Sequence, residues 1–205
     1  MTASAPSEIS HPTTAGSLSE LLARKPGWQA IAAHLDALPA DERVRQVLAV
    51  TGRGVKALYE AVAGSPVLTF DDFVPAGESG TVIFEGRNSL PLFTRFQKRF
   101  TRSQGQVIGY NHQTWGWVTG PGYFVVKPPE GEGPHPDELF FDYTAEPPLP
   151  GPEGWPTYAP NGKGLSRAVY ANMKDYCRRV AKGILVGKAY KLGVDQGAYF
   201  SLSHA

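Results

Sequence analysis

From Val67 to its C-terminus the chain is a succession of short runs, each rich in aromatic and β-branched residues and each closed by a turn-forming stretch. The densest piece, Gly105 to Val126, sets two such runs around Trp115-Gly116-Trp117 and a Gly120-Pro121-Gly122 turn. Short strands joined by tight turns pair as antiparallel neighbours, because a parallel crossover needs a dozen or more residues. About eight of them in sequence can bury their apolar faces by curling into a small barrel, whose interior holds side chains or one small ligand.

The strand-like runs lie at Val67 to Phe70, Thr81 to Glu85, Leu92 to Phe100, Val107 to Thr114, Tyr123 to Lys127, Leu139 to Thr144, Ala168 to Val180, Ile184 to Tyr190 and Ala198 to Ser203. In the third, Leu92, Thr94, Phe96 and Phe100 share one face, while Arg95, Gln97 and Arg99 share the other, the alternation of a half-buried strand. A helix over Phe93 to Phe100 is the competing reading, since Phe93, Phe96 and Phe100 also meet at period 3.6. Gly183 and the Gly193 to Gly197 stretch supply turns, and two long Pro/Gly-rich connections, Pro128 to Pro136 and Glu146 to Gly164, read as loops.

Before Ser65-Pro66 the period is helical. Ser17-Leu18-Ser19-Glu20 fits a capping box. Pro26 opens a second helix carrying Trp28, Ile31 and Leu35, and a third helical stretch runs from Ala40 to Ala63 with a break expected at Gly52 and Gly54. The fold class is therefore α+β: N-terminal helices followed by an antiparallel meander closing into a barrel or half-barrel. The expected organisation is a disordered arm over residues 1–16, a helical segment over 17–64 and the barrel-like domain over 65–205. The helices, whose apolar stripes must be covered, are expected to cap one barrel mouth.

A formal net charge of +1 argues against general attraction to nucleic acid or an anionic membrane. The one cysteine, Cys177, allows no intramolecular disulfide and no cysteine-rich metal site. The N-terminus lacks the basic and apolar regions of a signal peptide, and no apolar run is long enough to span a bilayer. A cytoplasmic protein without an integral membrane segment is the expectation.

The closing strands, Asp175 to Val180, Gly183 to Tyr190 and Ala198 to Leu202, resemble the end of a lipocalin-like, or calycin-type, barrel, in which a short Gly-containing strand precedes an aromatic final one. Phe96-Gln97-Lys98-Arg99-Phe100 resembles an early strand of the same barrel. The resemblance implies that a small hydrophobic molecule binds inside. It carries over no site residues.

His112 is the one histidine within a strand-like run. Facing inward with Tyr110, it would bind a polar head-group or act as an acid–base group, and on the plainer reading it is structural. Arg95, Lys98, Arg99 and Arg102 form one basic cluster and Lys174, Arg178 and Arg179 another. An inward member would anchor an anionic head, whereas the plainer reading is a solvated outer face. Trp115, Trp117 and Tyr143 would line an apolar cavity or simply pack a core. The first expectation is thus a protein binding a small apolar or amphipathic molecule through Arg95, Tyr110, His112, Trp115, Trp117 and Tyr143, with no cofactor and no metal. The alternatives are a metal-independent enzyme using His112, or a protein–protein interaction module presenting the helices or the Trp155 loop.

Overall fold

The structure, a computed structural model, describes residues 16–91, 94–112, 120–148, 151–164 and 166–205. Four helices come first: α1 (Leu18–Ala23), α2 (Trp28–Asp36), α3 (Ala40–Ala49) and α4 (Arg53–Ala61). Ser17 Oγ accepts from the Glu20 amide while the Glu20 carboxylate accepts from the Ser17 amide, which is the anticipated capping box. The break between α3 and α4 falls at Gly52, whose φ of 51° suits glycine.

Eight antiparallel strands follow: β1 (Val82–Asn88), β2 (Arg95–Ser103), β3 (Gln106–His112), β4 (Tyr123–Lys127), β5 (Leu139–Asp142), β6 (Met173–Ala181), β7 (Ile184–Lys191) and β8 (Val194–Ser203). Each pairs with its sequence neighbour, and β1 pairs with β8 to close the barrel. The β2–β3 and β7–β8 turns, Gln104-Gly105 and Leu192-Gly193, each hold two successive residues at positive φ. That backbone matches the twist of a tight hairpin. The Phe93–Phe100 ambiguity resolves to a strand over its described residues, because the alternating faces of β2 are buried on opposite sides of the sheet.

Three expectations are corrected. Val67 to Phe70 is not a barrel strand. Thr69 and Asp72 cap a 3-10 turn over Phe70–Asp72, and this local side-chain pairing outcompetes an extended ladder. The turn drives Phe73 into one barrel end, where its ring lies 5.2 Å from Phe100 and 5.4 Å from Phe141. The helices, second, cap neither mouth. Their stripe, including Leu18, Ile31, Leu35, Val55 and Leu58, packs on the outside of β6–β8 against Val180, Ile184, Val186 and Tyr199. Third, the run from Ala168 divides: a short helix α5 (Ser166–Val169) ends before Asn172, which has φ 59°, and β6 begins at Met173.

Apolar clusters accordingly lie on opposite faces of one sheet: a large one inside the barrel, one under the helices, and a small one of Phe140, Tyr176 and Tyr190. No described helix is long and apolar enough to cross a membrane.

Candidate functional site

The alternation of β2 sends Phe96, Lys98 and Phe100 to the barrel interior, so a lysine stands between two phenylalanines on an inward face. Lys98 is 2% exposed. Its ammonium donates to Asn111 Oδ1 at 2.8 Å, to the Tyr143 hydroxyl at 2.5 Å and to Asp175 Oδ2 at 3.2 Å. Three N–H groups meet three acceptors, which is the pattern of the charged form. Tyr143 in turn donates to Asp175 Oδ2 at 3.0 Å and accepts from Asn111 Nδ2 at 3.2 Å, while the same Asn111 amide donates to the Gly122 carbonyl at 3.1 Å. Strands β2, β3 and β6 and the end of β5 thus contribute one side chain each to a single network.

Rings enclose this network, and three glycines make room for them. Gly86 faces Phe96, Gly109 faces Phe124 and Gly187 faces Phe200 across their ladders. A Cβ on any of these glycines would come within 2.6, 2.5 or 2.2 Å of the partner ring. Each ring therefore lies over its glycine and leans toward the lysine. Lys98 Nζ sits 4.8 Å from the centre of Phe124, 5.0 Å from Phe200 and 5.8 Å from Phe96, so the cation is held by ring faces as well as by Asp175. Burial pulls the Lys98 ammonium below its ordinary pKa, and the Asp175 carboxylate opposes that pull. Burial likewise pushes the Tyr143 hydroxyl and the Cys177 thiol well above their usual ranges.

Asp175 is also 2% exposed, and it spends both of its hydrogen bonds on Oδ2. Its Oδ1 is buried and accepts from no group among the described residues. A buried acceptor in that state is costly and calls for a physical reason.

Above the network lies a cavity of about 340 Å³, which Lys98, Asn111, Tyr143 and Asp175 floor. Phe96, Phe200, Met173 and Ala189 line its sides, and Tyr170 closes another wall by stacking 5.5 Å from Tyr143. The exposed side chains Leu90, Val169 and Gln196 form the rim. Lys191 ties α5 to this rim through the Ala168 carbonyl at 2.9 Å. The volume falls in the range of small-molecule sites, as does the combination of apolar walls with a few convergent polar groups.

Among the depressions outside the barrel, two lie against loops that fasten onto the sheet. One, of about 330 Å³, adjoins the contact where Glu138 accepts from Tyr59 and Arg178 and pairs with His135. These groups fasten α4 and the loop before β5 to the sheet. The other, of about 530 Å³, lies between Tyr123 and the Trp155-Pro156 segment that covers the outer face.

Of the six residues expected to bind the ligand, the structure brings only Tyr143 into the cavity among those it describes, joined there by Lys98 from the basic cluster. Tyr110 and His112 sit on the outer face, because the inward positions of β3 are Gly109 and Asn111. Tyr110 is buried there by Trp155 at 4.8 Å and Tyr123 at 5.6 Å. His112 is exposed beside it, and burial of its ring and the nearby Arg99 hold its pKa below the usual value. Arg95 is exposed at the start of β2 and does not enter the interior. Trp115 and Trp117 fall outside the described residues. Sequence reasoning singled out neither Asn111 nor Asp175 as a site residue, and it placed Lys98 in a basic cluster without identifying it as the inward member. For Lys98 the signal was present, since it shares parity with Phe96 and Phe100.

Among the described residues no cluster of three or more His, Cys, Asp or Glu side chains is arranged to hold a metal ion. No protein-family model, no curated protein and no solved structure matches this chain.

Proposed function

We propose that this chain is a lipocalin-like cytoplasmic binding protein that takes up a small amphipathic molecule at the open end of its barrel. The observation that carries the reading is the contrast along one interior. Rings fill the end holding Phe73, whereas the other end keeps a cavity of about 340 Å³ over a buried polar network. Stability alone favours apolar filling over a buried ion pair, so a polar floor beneath unfilled space fits a site that selects a ligand. The binding face is the set of Tyr143, Lys98, Asn111 and Asp175, with Phe96 and Phe200 as apolar walls. Cys177, a buried free thiol with no disulfide partner, suits a reducing compartment.

Native mass spectrometry of the purified protein against a panel of small alcohols, acids, amides and lipids tests the reading. Ala189 lies directly across the β6–β7 ladder from Asp175 and lines the cavity, so Ala189→Leu fills space without touching the polar groups. Adducts that form on the natural chain and fade at least tenfold on Ala189→Leu support the proposal. Absence of any adduct across the panel, or adducts indifferent to the substitution, overturns it.

A further inference from the structure

The polar floor has a chemical preference of its own, and the inference drawn from it rests on the binding reading above. Lys98 has spent all three of its protons on Asn111, Tyr143 and Asp175. It therefore has none left for an incoming carboxylate. Asp175 balances its charge, so the pair presents no net charge to the cavity. What remains unfulfilled is an acceptor, Asp175 Oδ1. We infer that the cavity takes an uncharged amphipathic molecule that presents a hydroxyl or N–H donor to Asp175 at its inner end, and that it discriminates against a carboxylate head.

Hydrogen-bond satisfaction sets the preference. A neutral donor completes the carboxylate's hydrogen bonding, and its own desolvation is thereby compensated. A carboxylate at the same depth finds no donor to spare and lies beside Asp175. An ammonium head meets Lys98 within the same cage of rings, so the floor offers it a like charge alongside the carboxylate. Met173, two residues before Asp175 on the same face of β6, is half-buried at the cavity wall beside it. An unbranched thioether chain yields more readily than the surrounding rings. The remaining cation is Lys191, at the rim, where it donates to the carbonyls of Arg167 and Ala168. Water reaches the rim, and a charge held there is screened.

The experiment compares 1-octanol, octanoate and octylammonium at neutral pH by the ¹³C-methyl signal of Met173, on the natural chain and on Asp175→Asn. The expected order is 1-octanol tightest, with octanoate at least tenfold weaker and octylammonium also weaker. Asp175→Asn removes the balancing negative charge from Lys98, so the order should reverse toward octanoate. Should that variant fail to fold, Lys98→Met/Asp175→Leu removes both charges together and should abolish the preference for the alcohol. Octanoate binding the natural chain as tightly as 1-octanol overturns the inference while leaving the cavity reading intact. Loss of octanoate binding in Lys191→Gln also overturns it, because the carboxylate would then be held at the rim. Binding of none of the three overturns the cavity reading itself.

Discussion

The two ends of the barrel interior are built from the same strands, yet they are put to opposite uses. Toward one end Phe100, Phe141 and Phe84 meet the inserted Phe73 ring, and the plugging segment is locked by the Asp71–Arg102 and Asp72–Arg179 pairs. At the other, two residues along β2, Lys98 replaces a ring with a cation whose partners come from β3, from β6 and from the end of β5. The first end is a packed core in which every side chain is apolar or paired at its margin. The second keeps a buried charge pair, an unsatisfied oxygen and open volume. The difference teaches that stability has been left unrealised at one end, which is where function is to be sought.

Perturbing each end should expose that difference, and the largest effect is expected where charge is left unbalanced. Asp175→Leu strands the Lys98 ammonium among rings and should cost about 3–5 kcal/mol in urea unfolding. Restoring balance with Lys98→Met/Asp175→Leu should return most of that loss and leave a chain about as stable as the natural one, or more so. A double variant as unstable as the single would contradict the view that the floor is held for binding.

At the plugged end Phe100→Ala opens a cavity among rings that cannot all collapse, and a loss of about 3–5 kcal/mol is expected. It should leave the Met173 methyl environment unchanged, which distinguishes it from any substitution at the open end. Gly187→Ala is a smaller perturbation. Its Cβ would meet the Phe200 ring at 2.2 Å, so the ring must shift, at about 1–3 kcal/mol. Because Phe200 lines the cavity, this variant should also weaken ligand binding, whereas Phe100→Ala should not.

The pH dependence separates interior from exterior as well. Tyr143 and Cys177 keep their protons in the folded barrel at pH values where the unfolded chain releases them. The folded state therefore binds more protons, and stability should fall as pH rises past about 9 toward 10. Lys98 acts in the opposite sense, since its folded pKa is depressed, and it offsets part of that fall. On the outside, His135 is depressed chiefly by burial, with Arg178 and Lys188 adding to the effect and Glu138 opposing it. Its contribution is full above the ordinary histidine pKa and is lost as pH drops through about 6.5 and below. His135→Gln should flatten the stability profile between pH 5 and 7, the smallest of these effects, without altering ligand affinity.

The fold was legible because its signals are local. The Ser17 and Glu20 pair announces α1, and Gly52 separates α3 from α4. The alternation in β2 makes a strand, and short connections make antiparallel neighbours. The site was less legible because parity says which residues share a face but not which face is inside. Tyr110 and His112 do share one. It is the outer face, where Trp155 from a loop some forty residues away covers Tyr110 and leaves His112 exposed, and a sheet shifted by one residue would have exchanged the two faces. Lys98 was set among basic neighbours at Arg95, Arg99 and Arg102, yet its companions in parity were Phe96 and Phe100. Its burial depends on Asn111, Tyr143 and Asp175, which only barrel closure brings together. Phe73 escaped for a related reason, since Thr69 and Asp72 turn the chain inward just where strand-like composition began.

The chain has two methionines, Met1 and Met173, and the second lies in the cavity wall. Methionine-methyl NMR during a titration with 1-octanol therefore tests the central claim most directly. A saturable shift of the Met173 signal, with Met1 unmoved and the response lost in Ala189→Leu, is the predicted result. A Met173 signal that stays fixed to the solubility limit of the alcohol would contradict the account.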